Sequence, residues 1–152
     1  MYKKNVGKGD NGFTDFCSRH IKKTDDEVLL LALIDEINAV CGFLVSKYGI
    51  EILKEVEKMN ISIMGFIAGY VSSQKVDESI RFIEDEVRKI NDVDIKGFVV
   101  FDKDEKTSLL NILRTKIRIA EIYAWRADKK NVAVYLNRLS DLVFLIAVRE
   151  VL

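Results

Sequence analysis

The chain has 152 residues, 24 Lys and Arg against 24 Asp and Glu, and a formal net charge of +0. That balance argues against a broad, charge-driven surface for nucleic acid or lipid headgroups. Hydrophobic residues make up 49% of the chain, enough for one substantial core in one domain. No uninterrupted apolar run approaches the ~20 residues that cross a bilayer. The start, Met1-Tyr2-Lys3-Lys4-Asn5, has no apolar signal core, so a cytoplasmic protein is expected. Cys17 and Cys41 form no CxxC pair, and with His20 as the single histidine they make no structural zinc set.

Residues 1–23 differ from the rest. Gly7, Gly9 and Gly12 stand among polar residues, which predicts an ordered loop or a flexible arm. Thr24-Asp25-Asp26-Glu27 then has the form of a capping box, with Thr followed three residues later by Glu. A first helix is expected from about Asp25 to Tyr48, ended by Gly49. Its stretch Val28 to Ile34 is apolar on every side, which suggests burial against both the core and another subunit. A second helix is expected from Glu51 to about Tyr70, with Gly65 and Gly69 permitting close packing near its end. Val76, Ile80, Ile83, Val87 and Ile90 keep helical spacing and predict a third helix from Val76 to Ile90. Asn91 to Lys106 reads as a connection, in which Phe98 to Phe101 could form a short strand. A fourth helix is expected from Thr107 to Arg126 and a fifth from Asn131 to the C-terminus. No proline occurs anywhere, which suits long helices. The expected fold is all-α: a single domain over 1–152, with a five-helix up-and-down bundle over 24–152.

Several polar groups sit where they need partners. The last helix carries Asn137-Arg138-Leu139-Ser140-Asp141 inside an otherwise apolar segment. Polar groups there are costly unless paired. Asn137, Ser140 and Asp141 share one face at i, i+3 and i+4, forming either a helix–helix clamp or one wall of a ligand site. On the fourth helix, Asn111, Arg114, Arg118, Glu121 and Trp125 form a stripe rotated by ~100° from the core stripe of Leu110, Leu113, Ile117, Ala120 and Ala124. Arg114 and Arg118 repel modestly unless an anion lies between them, and two guanidinium forks on one rigid helix suit a triphosphate. The plainer alternative is a solvated polar face. Asp35, after seven apolar residues, calls for a cation, which Arg114 or Arg138 could supply. Gly9-Asp10-Asn11-Gly12-Phe13-Thr14 could wrap an anion with backbone N–H groups and a hydroxyl. It is not a Walker A loop. With one histidine and no Ser-His-Asp or Cys-His set, nucleophilic hydrolysis is poorly supported, and any nucleophile would come from a cofactor or substrate.

These islands, in order, resemble the ATP:cob(I)alamin adenosyltransferases of the propanediol-utilisation type. The family's Gly-Asp-x-Gly-x-Thr loop is similar to Gly9-Asp10-Asn11-Gly12-Phe13-Thr14, and its Lys-Asp-Asp segment to Lys23-Thr24-Asp25. Its Val-Asp-Glu-Leu-Asn motif resembles Ile34-Asp35-Glu36-Ile37-Asn38. Arg114, Arg118, Ala120 and Glu121 match part of its Arg-rich motif, and Asn137 to Asp141 match Asn-Arg-Leu-Ser-Asp in full.

The resemblance implies a five-helix bundle, assembled as a homotrimer with sites between subunits. It implies transfer of the 5′-deoxyadenosyl group of ATP to cob(I)alamin, with release of triphosphate. ATP would lie among Gly9, Asp10, Gly12, Thr14, Lys23, Arg114, Arg118, Glu121 and Asn137. Mg²⁺ would accompany ATP near Glu121 rather than sit in a protein cluster of its own. Phe98 would face the cobalt of the corrinoid, Asp35 would pair with Arg114 across the interface, and Asn38, Arg138 and Asp141 would support the site. No nucleic acid or membrane partner is implied. The chain departs from the family where Phe101-Asp102-Lys103 replaces Pro-Gly-Gly, and where Ile119, Ile122 and Glu27 stand in place of arginines. Those departures leave a second reading open: a catalytically degenerate bundle that binds nucleotide or corrinoid, or serves a structural role.

Overall fold

The computed structural model describes residues 6–151. Five helices carry the chain: α1 (Asp26–Tyr48), α2 (Ile52–Ile67), α3 (Ser73–Lys89), α4 (Glu105–Arg126) and α5 (Lys130–Val151). A two-stranded hairpin, β1 (Phe13–Asp15) and β2 (His20–Lys22), precedes them. The strands are antiparallel, with Phe13 opposite Lys22, Thr14 opposite Ile21 and Asp15 opposite His20.

Helix neighbours close a ring: α1 packs on α2, α2 on α3, α3 on α5, α5 on α4, and α4 on α1. Short links join α1 to α2, α2 to α3 and α4 to α5. Residues 90–104 form the one long connection, carrying the chain from α3 past α5 to α4. The end of that connection nearest α4 is held down by Phe101, buried edge-on against Phe144 of α5 with ring centroids 6.0 Å apart. Ser108 of α4 also donates from Oγ to the Phe101 carbonyl at 2.8 Å. Residues 98–101 are not a strand, contrary to the sequence expectation. Their apolar character serves this anchoring and an exposed lip.

The helix ends follow local chemistry. The cap of α1 is Asp25 rather than Thr24: its backbone is extended and its carboxylate accepts from the Glu27 N–H at 2.8 Å. Gly49 closes α1 in the left-handed conformation. Asp104 caps α4, accepting from the Thr107 N–H at 2.8 Å. α2 stops at Ile67, three residues before the expected end, because the Tyr70 and Val71 N–H groups fold back to the Gly65 carbonyl. α3 begins at Ser73, earlier than its apolar spacing indicated.

α5 is the central helix, with eleven buried residues. One buried polar chain crosses the core. Tyr135 of α5 donates to Asn60 Oδ1 of α2 at 2.7 Å, and Asn60 Nδ2 donates to Asn38 Oδ1 of α1 at 2.9 Å. Asn38 Nδ2 reaches the Glu57 carbonyl at 3.4 Å. Both α1 and α5 are long and apolar enough to cross a membrane by length and composition alone. In α5 that apolar stretch is 61% buried inside the bundle, whereas in α1 it is only 28% buried.

Candidate nucleotide and corrinoid site

The N-terminal residues fold into a tight platform. Gly9 has φ 94°, and a side chain there would come within 2.9 Å of the Lys23 amino group, so the absence of one lets Lys23 lie over the loop. The Lys23 N–H donates to the Gly12 carbonyl at 2.8 Å, tying the end of the hairpin to the loop. Asn11 Oδ1 accepts from the Phe13 N–H at 3.2 Å. A concavity of about 510 Å³ results, lined by Lys8, Gly9, Asn11, Phe13, Thr14, Asp15, His20 and Lys23. Gly9, Thr14 and Lys23, expected at an anion site, are therefore brought together. Asp10 and Gly12 shape the turn without lining the concavity: the Asp10 N–H bonds the Gly7 carbonyl, and the Gly12 N–H bonds that of Gly9. Asp15 has its carboxyl held below the usual range by its bonds to His20 and Lys8.

A second recess, about 410 Å³, lies where the 90–104 connection meets α4 and α5. Gly97, Phe98, Val99, Phe101, Arg114 and Phe144 line it. Phe98 is fully exposed, with no neighbour covering its ring. The Arg114 guanidinium lies 5.9 Å from the Phe144 ring centroid, and its Nε donates to Asn111 Oδ1 at 2.9 Å. Among the described residues it has no carboxylate partner.

The polar stripe of α4 continues from Arg114 toward the C-terminal end of the helix. Arg118 is exposed and makes no ion pair among the described residues. Glu121 accepts from the Trp125 indole N–H at 3.2 Å rather than pairing with an arginine. Asp141 of α5 faces the same stripe. Partial burial pushes its carboxyl pKa up, while Arg138 and Arg118 pull it down and Glu121 adds to the rise. Arg138 itself reaches across to α3, with Nε 3.2 Å from Glu84 Oε1, so it is a helix–helix clamp. Ser140 is buried and donates to the Asn137 carbonyl of its own helix at 2.8 Å. The Asn137 side chain is half-buried and makes no hydrogen bond among the described residues. The polar island thus divides into an outward-directed Asn137 and an inward clamp.

Asp35 differs from the setting its apolar neighbours suggested: it is exposed and joins no ion pair among the described residues. Its neighbour Glu36 instead bridges to Lys116 of α4. Among the described residues, no hydrogen bond or ion pair links the N-terminal platform to Arg114, Arg118 or Asn137. His20, absent from the expected site, is a wall of the platform. The signal for it was the short run His20-Ile21-Lys22 facing Phe13-Thr14-Asp15, legible only once the hairpin pairing is known.

Residues 5–150 match the family model described as cobalamin adenosyltransferase. The chain belongs to the cobalamin adenosyltransferase family. No curated protein matches it by sequence. Among solved structures, one similar chain is an arginine-variant PduO-type ATP:corrinoid adenosyltransferase from Lactobacillus reuteri complexed with ATP. The likeness has a TM-score of 0.83 at 21% identity, covering 99% of this chain and 93% of that one. Two phenylalanine variants of the PduO-type enzyme from Lactobacillus reuteri, complexed with cobalamin and ATP, are also similar. They give TM-scores of 0.81 and 0.83 at 21% and 22% identity. The likenesses cover 98% and 99% of this chain, and 92% and 90% of those. At these identities the likeness is one of fold. Within this bundle, Arg114 and Arg118, which have no carboxylate partner among the described residues, are cations on a rigid scaffold, and Arg114 lines the apolar Phe98 recess.

Proposed function

We propose that the chain transfers the 5′-deoxyadenosyl group of ATP to cob(I)alamin. The Co(I) lone pair forms a bond to the 5′ carbon, the bond from that carbon to oxygen breaks, and triphosphate leaves with the electron pair. Such a reaction asks the protein for position and charge rather than a general base. That matches a chain with one histidine and no nucleophile set. The observation that carries the proposal is Arg114 in one recess with the fully exposed Phe98, its guanidinium free of any carboxylate among the described residues.

Arg114, Arg118 and Asn137 are assigned to the nucleotide and its phosphates, with Lys23 and the Gly9–Thr14 loop as the phosphate platform. Phe98 is assigned to the corrinoid, facing cobalt. Asn38 and Arg138 hold α1 and α5 in place through the core chain and the α3 clamp, and Asp141 sits beside Arg118. Among the described residues no three acidic, cysteine or histidine side chains converge. Mg²⁺ would therefore arrive on the triphosphate, with Glu121 the nearest proposed carboxylate.

Because no hydrogen bond or ion pair among the described residues joins the platform to the arginine stripe, the complete site is assigned to the junction of two copies in a trimer. The exposed side of α1 and α4 supports this assembly. Leu29, Ala32, Ala39 and Phe43 on α1, with Ile112, Ile119 and Ile122 on α4, form adjoining exposed stripes. Cover by a second copy, rather than by lipid, fits the expected cytoplasmic location. A degenerate bundle is not favoured, because Arg114, Arg118, Asp35 and Asn137 are all retained, and among the described residues none of the three charged ones has an ion-pair partner.

The test is anaerobic incubation with chemically reduced cobalamin and ATP, following the cobalt–carbon product by its visible spectrum. Turnover above the uncatalysed background is expected, and a rate equal to background overturns the proposal.

A further inference from the structure

The platform concavity holds one group that its proposed role in phosphate binding leaves unused. His20 Nδ1–H donates to Asp15 Oδ1 at 2.7 Å. The imidazole lies flat on the Phe13 ring, with centroids 4.8 Å apart and planes 5° from parallel. Two independent contacts thus fix the ring in position and plane. Nε2 makes no hydrogen bond among the described residues, although the ring is part of the concavity wall.

The charges in that wall are few. Asp15 of β1, Lys8 of the preceding turn and Lys23 after β2 are the charged groups that share it with His20. Asp15 is also engaged by Lys8, whose Nζ lies 3.4 Å from Oδ2. With His20 neutral, the two lysines and the one carboxylate sum to a single positive charge. Protonating His20 doubles that sum at a site suited to a polyanion. Asp15 stays ionised, because its bonds to His20 and Lys8 hold its own pKa down, and so it remains an acceptor for the His20 ring.

Given the assignment of the loop to the ATP phosphates, on which this inference rests, we propose that His20 is a further nucleotide-binding residue. In its imidazolium form it donates from Nε2 to a phosphate oxygen, so the platform binds triphosphate more tightly below the pKa of His20 than above it. Asp15 is the positioning residue that orients the ring through its bond to Nδ1. Hairpin packing alone would explain the Phe13 stack, but it predicts no effect of ligand on the protonation of His20.

Linkage separates the two. If the protonated ring binds phosphate, ATP must raise the pKa of His20, and affinity must fall as pH rises through that range. His20 is the only histidine in the chain, so one imidazole proton resonance reports its titration without assignment. In the full-length protein, saturating ATP is expected to raise that pKa by about one unit, equivalent to a roughly tenfold preference for the protonated form. Inorganic triphosphate should do the same. His20→Gln should bind ATP more weakly at pH 6 and lose the pH dependence assignable to the ring. Asp15→Asn, which weakens the acceptor that orients the ring, should reduce the ATP-induced shift of the His20 resonance. An unshifted His20 pKa, with calorimetry showing ATP bound, overturns the role of His20 and leaves the adenosyltransferase proposal standing. No ATP binding at any pH overturns both.

Discussion

Arg118 is the residue on which nucleotide affinity is most simply tested. It is exposed and unpaired among the described residues, so removing it breaks nothing inside the chain. A charge-assisted hydrogen bond contributes about 1.5–3 kcal/mol, so Arg118→Ala should weaken ATP binding roughly ten- to a hundredfold. Calorimetry would show this, with the thermal transition of the free protein unchanged. An unaltered dissociation constant would remove Arg118 from the site. Cys41 offers a test of the core. Burial, with the Glu57 carboxylate adding to it, pushes its thiol from an ordinary 9.0 up to about 12. The folded pKa is the higher one, so the contribution is fully present below pH 9 and is lost as pH rises toward 12. Above pH 9 that loss approaches about 1.4 kcal/mol per pH unit. Tyr135, fully buried and also raised by desolvation, begins to contribute above pH 10. Urea midpoints measured from pH 8 to 10 should therefore decline, and Cys41→Ala should flatten that decline. A variant with the same slope as the parent would exclude the thiol as its source.

At the scale of elements, the turn between α2 and α3 depends on the absence of a side chain at Gly65. A Cβ there would stand 2.6 Å from Val71 Cγ2. Overpacking of this kind costs about 1–3 kcal/mol, so Gly65→Ala should lower the unfolding free energy read from urea melts by that amount. Adding Val71→Ala should recover part of the loss, since the two atoms occupy one space. Strict additivity would show that Val71 is not the obstacle. The five helices were legible because apolar residues at helical spacing fix which face is buried whatever the tertiary detail. The hairpin was not. Its strands have three residues each, too few for alternation to stand out, and its pairing is set by a turn around Cys17-Ser18-Arg19. His20 was missed for the same reason, because only the pairing opposite Asp15 brings it to the platform. Arg114, Arg118 and Asn137 were legible as polar groups in need of partners, Gly9 and Thr14 as a loop able to wrap an anion, and Lys23 only through the family resemblance. Asp35 shows the limit of that approach. Apolar neighbours along the sequence suggested burial, but its own direction on α1 is outward, which spacing alone does not fix until the neighbouring helices are placed.

For the whole molecule, the question is what covers the outward side of α1 and α4. Phe43 is 47% exposed and Ile122 58% exposed, within a side whose α1 stretch is only 28% buried. A trimer buries such surface, so the chain should sediment as three copies. Ile122→Asp, which places a charge in that apolar stripe, should yield smaller species. The pairing of Asp35 with Arg114 gives a finer test. Within one chain no hydrogen bond or ion pair joins them, so any energetic coupling between them has to arise between copies. If assembly buries the pair, Arg114→Ala strands a carboxylate and costs roughly 3–5 kcal/mol, seen as a lower and more concentration-dependent melting temperature. Asp35→Ala should be similarly harmful, by leaving the guanidinium without its partner. The double variant should then be well short of the sum, because neither charge remains to be stranded. Simple addition of the two effects would mean that Asp35 and Arg114 do not meet. The arginine would then have to be satisfied by the nucleotide alone.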